Sequence, residues 1–179
     1  DSAGALMEGV IASASNPGGV EGASPSHVYD GSLTGWCWAD QNFQNSNVAT
    51  STLLLNFTSA VTFAAYDLFS GIESSNECPT SGYPSAWQLF CKESHSDPEW
   101  AIVDTRAAVQ PPTSSASSYS LSAGHAGFAV VDTYPIYASA RAGAPLSMCK
   151  LVFNETSGGG RVNVGELRFY DSAGALLEG

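Results

Sequence analysis

Short apolar runs, separated by turn residues at roughly every eight to fifteen positions, constrain the fold of this chain more than any other feature of its sequence. Residues 85–94 show the pattern best, because Trp87, Leu89 and Cys91 alternate with residues that face the other way. A period of two is that of a β-strand with one buried face. Helical periodicity is almost absent from the chain, so the sequence predicts an all-β sandwich or barrel.

The predicted strands follow one another along nearly the whole chain. They are residues 9–15, two strands within 51–71 around a turn at Thr58–Ala60, residues 85–94, 100–107, 124–132 and 145–156, and a strand with a returning strand over 161–179. The glycine-rich residues 156–161 predict a hairpin-like loop. Residues 110–120 are rich in proline and serine, and the strand patterns on both sides favour a surface loop within one domain.

Charge narrows the classes of partner. The chain has 179 residues, the length of one ordinary domain, with 17 Asp and Glu against 6 Lys and Arg and a formal net charge of −11. An acidic surface repels nucleic acid phosphates and anionic membranes. We therefore predict no nucleic acid partner. Since no apolar run is long enough to cross a bilayer, and no segment resembles a signal peptide, we also predict no membrane insertion.

The cysteines and two sequons favour an extracellular protein. Cys37, Cys78, Cys91 and Cys149 form no Cys-x-x-Cys pairs, which argues against zinc and for two disulfides with three possible connectivities. Cys78 and Cys91 flank a loop, so we expect them to pair with each other and Cys37 to pair with Cys149, although the crossed pairings stay open. Asn56 and Asn154 begin sequons and predict glycosylation.

One nine-residue phrase occurs twice. Residues 1–9 and 171–179 are identical except at Met7 and Leu177. Repetition at a fixed period indicates a tandem array, so residues 1–9 are predicted to be the tail of a preceding repeat and residues 10–179 a single domain. The near-absence of a linker would make such an array stiff. The alternative is that the two ends are paired edge strands with a coincidental likeness.

Five local motifs, in one order, resemble the discoidin-like domains. They are Asp30-Gly31…Thr34…Trp36, the strands LLLNF and YDLF, the pattern P-S-x-W-x-L with a later W-x-x-x-D-T, and the ending G-E-L-x-F-Y-D. This family includes the C domains of coagulation factors and many carbohydrate-binding modules of the galactose-binding-like fold. The resemblance implies a jelly-roll β-sandwich with ligand loops at one end. The chain departs from the family at Lys92–Asp97, which replaces the usual G-S-N-D-G turn.

The resemblance also implies a calcium site. In the family a cation often ties the Asp-Gly loop to a glutamate of the final strand, and Asp30, Thr34 and Glu166 stand at the matching places. Hard oxygen ligands of this type suit Ca²⁺. This chain is one residue shorter between Asp30 and Thr34 than the common pattern. The alternative is an Asx-turn at Asp30 and an exposed sheet contact at Glu166.

Sugar binding needs an aromatic face and nearby hydrogen-bonding groups. Four residues in or near predicted loops fit that need, namely Trp38, His95, Trp100 and Arg141. Trp36 and Trp87 match core positions of the family instead. The alternative for each of the four is a loop residue with no ligand.

No pattern predicts catalysis. Nothing places His27, His95 or His125 beside a nucleophile with an orienting acid. The leading hypothesis from the sequence is therefore a non-enzymatic extracellular structural or adhesive repeat whose partners are neighbouring copies of itself. The alternative is a calcium-dependent, lectin-like module that binds cell-surface or matrix glycans, on its own or attached to a larger enzyme or adhesin.

Overall fold

The computed structural model describes residues 10–14, 24–31, 37–40, 49–71, 82–109, 128–135, 144–158 and 160–177. These residues contain a short 3₁₀ helix, Pro25–Tyr29, and ten strands. The strands are β1 (Val10–Ala14), β2 (Trp38–Asp40), β3 (Ser51–Val61), β4 (Ala65–Gly71), β5 (Pro84–Lys92), β6 (Ala101–Arg106), β7 (Phe128–Pro135), β8 (Leu146–Thr156), β9 (Val162–Val164) and β10 (Glu166–Tyr170). None of the helical structure in these ranges is long and apolar enough to span a membrane.

The strands form three antiparallel sheets. The largest has the order β1-β3-β8-β5-β6, the second β10-β4-β7, and β2 pairs with β9 in the third. Side chains from all three sheets meet in one core, where the rings of Phe57 and Phe169 lie 5.9 Å apart across the sandwich. The architecture is an all-β sandwich, one of the two that the alternating pattern predicts, and it is the jelly roll that the family resemblance implies.

The five-stranded sheet has one face in the core and one outer face. Along β3 the burial alternates: Leu53, Leu55 and Phe57 are buried, while Leu54 and Asn56 are half-buried on the outer side. The predicted alternation along β5 is confirmed, because its three inward side chains are fully buried. A pleated strand with one solvated face has this pattern, so outward residues of neighbouring strands share one surface.

A polar contact joins the two larger sheets inside the core. The hydroxyl of Tyr66 on β4 donates to Asp104 at 2.7 Å and accepts from the indole N–H of Trp87 at 2.9 Å. Asp104 reaches inward because the β5–β6 register shifts between Leu89 and Phe90, which turns the carboxylate toward the sandwich. Burial raises the pKa of Tyr66 above its ordinary value, so the hydroxyl stays a hydrogen-bond donor.

The expected disulfide pairing is wrong. Cys91 of β5 is bonded to Cys149 of β8, its direct cross-strand neighbour. Cys37 is also disulfide-bonded, and Cys78 lies outside the described residues. Closeness along the chain favoured Cys78 for Cys91, but the sheet brings together two strands that are 58 residues apart. The bond therefore fixes the centre of the five-stranded sheet.

Two predicted turns also need correction. The turn within 51–71 falls at 62–64, because Thr58, Ser59 and Ala60 form an exposed, irregular continuation of β3. Residues 156–161 do not close a hairpin, since β8 belongs to the five-stranded sheet and β9 pairs with β2. Small and polar residues are typical of turns, so a strand that continues through them, as β3 does, is predicted to end too early.

The carboxyl end folds back on its own domain. Asp171 accepts hydrogen bonds from the backbone N–H groups of Ala173 and Ala175, and Gly174 has a φ of 81°. Leu177 then bonds Phe169 through its backbone N–H and packs against the core. The predicted turn and returning segment are confirmed here. The first copy of the phrase, residues 1–9, lies outside the described residues.

Candidate functional site

The turn that follows β5 is held together by its own polar groups. The ammonium of Lys92 donates to the backbone oxygens of His95 at 3.2 Å and Asp97 at 3.1 Å. The carboxylate of Asp97 accepts from the backbone N–H of Ser94 at 2.9 Å. Ser147 of β8 ties the turn to the sheet by donating to the backbone oxygen of Glu93. The turn thus presents His95 and Trp100 in defined positions.

His95 is exposed and reaches a neighbouring strand. Its Nε2–H donates to the side-chain oxygen of Asn56 on β3, at 2.8 Å. Asn56 and Lys92 both face Met148 across the ladder, so they lie on opposite sides of β8 in one row. With strands about 4.8 Å apart, that row is about 10 Å wide, which is the scale of one or two sugar rings.

Trp100 lies under both lysines of the chain. The Nζ of Lys92 is 4.8 Å from the centre of its ring, and the Nζ of Lys150 is 4.4 Å away. Lys150 also lies 5.1 Å from the ring of Phe90. Cations are attracted to aromatic faces by the ring quadrupole, so the tryptophan holds the two ammonium groups near each other.

The next row of the outer face is mainly apolar. Leu54, Lys150, Phe90 and Ile102 are successive cross-strand partners from β3 to β6. Ile102 is 53% exposed, more than any other large apolar side chain of the described residues. We call the surface formed by Asn56, Phe90, Lys92, His95, Trp100 and Lys150 the outer-face cluster.

The structure unites two of the four predicted sugar-binding residues and removes a third. His95 and Trp100 belong to the outer-face cluster, and Arg141 lies outside the described residues. Trp38 is 0% exposed and packs 6.0 Å from the ring of Phe153, so it offers no face to a sugar. The prediction for Trp38 is wrong because β2 is buried along its whole length and packs into the core.

Sequence reasoning missed Phe90, Lys92 and Lys150. A signal for the lysines was present, because each follows a cysteine, Cys91-Lys92 and Cys149-Lys150. Had the pairing of Cys91 with Cys149 been known, the two dipeptides would have been placed side by side. Asn56 was predicted only as a glycosylation site.

A second polar site lies where the 3₁₀ helix meets β10. Val28 of the helix is buried in the core, and the hydroxyl of Tyr29 accepts from the backbone N–H of Ala12. These anchors fix Asp30, which directly follows the helix. Its carboxylate lies 2.9 Å from Nδ1 of His27. The helix therefore delivers an acidic side chain to the end of the final strand.

Glu166 faces Asp30 from β10, and we call these two residues the acidic pair. Glu166 is only 3% exposed, and one of its oxygens, Oε2, has no hydrogen-bond partner among the residues that the structure describes. Burial, with repulsion from Asp30 as a smaller cause, raises the pKa of Glu166 to about 9, against the opposing effects of Arg168 and the Gly31 N–H. A buried carboxylate with an unpaired oxygen is costly unless a proton or a cation compensates it.

The acidic pair has the donor chemistry of a hard cation site. Two carboxylates brought together, one with an unpaired buried oxygen, fit Ca²⁺ when backbone or hydroxyl oxygens complete the shell. Thr34, the third predicted ligand, lies outside the described residues. Within the described ranges no group of three His, Cys, Asp or Glu side chains is arranged as a metal site.

Known structures resemble this one in fold. No protein-family model and no curated protein matches the sequence. The family 32 carbohydrate-binding module of NanJ from Clostridium perfringens, solved with galactose, superposes with a TM-score of 0.62 at 12% identity, covering 92% of this chain and 97% of that chain. The fold is discoidin-like.

Two further discoidin-like structures agree with that result. An F5/8 type C domain from Bacteroides fragilis gives a TM-score of 0.57 at 10% identity, over 96% of this chain and 93% of that chain. The family 32 module of AlyQ, solved with 4,5-unsaturated mannuronic acid, gives 0.58 at 12% identity, over 92% and 97%. The predicted resemblance and fold class are confirmed. At these identities the likeness concerns the fold, and function has to be argued from this chain's own surface.

Proposed function

We propose that this discoidin-like domain is a non-catalytic, extracellular carbohydrate-binding module. Several discoidin-like neighbours are described as carbohydrate-binding modules, three of them with a bound sugar, which supports this reading over the structural repeat. The observation that carries the proposal is the outer-face cluster, where His95 and Asn56 supply hydrogen-bonding groups beside the rings of Phe90 and Trp100.

The cluster has what a pyranose needs. Apolar C–H groups of a sugar pack on aromatic and aliphatic side chains, while its hydroxyls exchange hydrogen bonds with amide and imidazole groups. The sheet beneath the cluster is rigid, since adjacent strands and the Cys91–Cys149 bond fix its backbone. Preorganised groups lose little conformational entropy when a ligand binds.

A glycan screen followed by titration calorimetry tests this proposal. His95→Ala and Trp100→Ala are each expected to weaken binding of the best glycan about tenfold, the effect of losing roughly 1.4 kcal/mol of contact. Glu155→Ala is the control, because that side chain is exposed at the far end of β8. A screen without any bound glycan, or equal affinities for all four proteins, would refute binding at the outer-face cluster.

For the acidic pair we propose a structural calcium ion, held by Asp30, Thr34 and Glu166 with backbone carbonyl oxygens. The unpaired oxygen of Glu166 supports it. Chelation is expected to lower the melting temperature of wild-type protein, and Asp30→Ala is expected to abolish that difference. Equal melting temperatures with and without chelator, after metal analysis has verified removal of the ion, would contradict the calcium proposal.

The tandem array remains a second candidate function. The closing turn at 171–177 packs on its own domain, so the nearly identical phrase at 1–9 supports a preceding domain of the same kind. Negative-stain electron microscopy of native material at physiological calcium tests the array. Filaments with an axial repeat of one domain support a structural role with neighbouring copies as partners, whereas dispersed particles reject it.

A further inference from the structure

The chain brings both of its lysines to one place. It carries only two lysines against a formal net charge of −11, and both lie in the outer-face cluster over one indole ring. Their strands place them diagonally, because Lys92 faces Met148 while Lys150 faces Phe90. Diagonal neighbours lie about 7–8 Å apart at the backbone, where like charges repel. Trp100 and the disulfide beneath stabilise this arrangement.

The two lysines differ in what already binds them. Lys92 donates to two backbone oxygens of the turn, so it is largely committed to local structure. The ammonium of Lys150 lies over Trp100 and Phe90 and has no carboxylate or other hydrogen-bond acceptor within the described ranges. An ammonium group has three donors. Lys150 therefore presents a positioned cation with donors left for a ligand.

The surroundings favour one directed ion pair over a general positive field. Glu93 and Glu99 are exposed in the same turn, which also carries the carboxylate of Asp97, so three acidic side chains offset the two lysines and leave no broad positive field. Extended polyanions are attracted by a broad field of one sign. A single ammonium group beside two aromatic rings and an exposed Ile102 instead fits a small ligand that has both apolar and polar groups and carries one acidic group.

We propose that the ligand of the outer-face cluster is an acidic sugar, whose carboxylate or sulfate accepts hydrogen bonds from Lys150. This inference rests on the proposed carbohydrate-binding function and names the class of ligand. Phe90 and Trp100 position the ammonium and contact the sugar ring, and Lys92 adds a second positive charge. A second copy of this acidic chain is the competing occupant.

Matched ligands separate charge from sugar. Oligogalacturonate and its methyl ester share one backbone and differ in the carboxylates, and a sulfated galactan oligosaccharide with its desulfated form tests the other acidic group. Titration calorimetry is run on wild type, Lys150→Met, Lys150→Arg and Arg161→Gln. Arg161→Gln removes the same charge near Gly82, before the start of β5 and away from the cluster.

We expect at least one acidic ligand to bind about tenfold tighter than its neutral form, as a charge-assisted hydrogen bond implies. Lys150→Met should remove that preference, while Lys150→Arg and Arg161→Gln should keep it. High salt should weaken the acidic ligand only. If the oligogalacturonate pair shows the preference, the recognised group is a carboxylate. If the galactan pair shows it, the recognised group is a sulfate.

Three results would overturn the proposal, and they differ in what they mean for the proposed carbohydrate-binding function. Equal binding of acidic and neutral forms, unchanged in Lys150→Met, rejects the acidic ligand but retains carbohydrate binding. Binding of no sugar in these titrations and in the glycan screen rejects both. Concentration-dependent self-association that Lys150→Met removes, measured by sedimentation without sugar, assigns the surface to a second copy and overturns the acidic-sugar proposal.

Discussion

The outer-face cluster and the acidic pair solve opposite electrostatic problems in one molecule. In the cluster, two lysines share a tryptophan ring, and most polar groups already have partners in the turn. In the acidic pair, Glu166 is almost fully buried, and one of its oxygens has no hydrogen-bond partner among the described residues. In the cluster the ammonium of Lys150 is left for a ligand, whereas the buried carboxylate of Glu166 needs a proton or a cation beyond the contribution of Arg168 at 3.8 Å.

The difference separates structure from recognition. A buried carboxylate that lacks a partner costs stability, so whatever compensates it acts on the folding of the domain. Half-buried cations over aromatic rings cost little and remain available to a partner. We therefore expect changes at the acidic pair to alter stability and changes in the cluster to alter binding.

Removing the disulfide under the cluster should have the largest effect on stability. Cys91→Ala with Cys149→Ala opens a loop of 58 residues, which corresponds to about 4 kcal/mol of unfolding free energy in the chain-entropy model. Urea denaturation measures the loss. The proposed calcium response of the acidic pair should persist, because Asp30 follows the 3₁₀ helix and Glu166 lies on β10, away from the disulfide. A loss well below 1 kcal/mol would contradict the stabilising role assigned to this bond.

The acidic pair should make stability depend on pH and metal. Without divalent cations the folded protein holds a proton on Glu166, whose pKa of about 9 lies above the ordinary value of 4.5. That contribution is fully present below about pH 4.5 and is lost as pH rises through about 9. The proposed calcium ion would bind the ionised form, so at a hundredfold excess over its dissociation constant it should restore about 2.7 kcal/mol.

Glu166→Gln is the matched control for this dependence, since it keeps the shape of the protonated side chain. In chelator, its stability should vary less with pH than that of wild type, and added calcium should have no effect. Thermal melts at several pH values measure both. If wild type and Glu166→Gln show the same slope in chelator, then the buried carboxylate is not the titrating group.

Trp100→Leu should separate binding from stability. Leucine retains an apolar side chain but removes the ring that both ammonium groups face, and each such contact contributes about 0.5–1 kcal/mol at exposed sites. We expect the melting temperature to change little and the affinity for the glycan to fall by about tenfold. The reverse outcome, lower stability with unchanged affinity, would make Trp100 a structural residue.

Much of the fold follows from the sequence because inward and outward residues alternate in β3 and β5. The rule fails at β2, where Trp38, Ala39 and Asp40 are all buried. Alternation carries no information when both faces of a strand are covered, and a tryptophan in such a strand resembles a loop residue. Burial of this kind is a property of the tertiary structure.

The acidic pair was predictable from motifs, whereas the sequence predicted only His95 and Trp100 of the outer-face cluster as ligand-binding residues. Asp30 and Glu166 stand at the positions where discoidin-like domains often have the two acidic residues of a cation site. Lys92 and Lys150 become neighbours only through the pairing of β5 with β8. The sequence left three disulfide connectivities open, and loop closure favours short separations, so it pointed away from the pair that joins these strands.

The smallest expected effect concerns the sequon at Asn56. A glycan there would lie on the outer-face cluster, because the Asn56 side chain accepts from His95. Thr58→Ala removes the sequon at an exposed position, with little expected change in stability. In glycosylated material the change should increase binding of external sugar, and intact-protein mass spectrometry reports occupancy at Asn56 and Asn154. Unchanged binding despite full occupancy at Asn56 would exclude ligand from this part of the cluster.

Nuclear magnetic resonance of the four tryptophan indole groups tests whether an acidic sugar binds at the outer-face cluster. The protein is titrated with an acidic oligosaccharide selected by calorimetry, and Trp100→Phe assigns the signal of Trp100. If the sugar binds at the outer-face cluster, this signal shifts, while the signals of the buried Trp38 and Trp87 stay in place. A bound sugar that leaves the Trp100 signal unmoved would contradict recognition at the outer-face cluster.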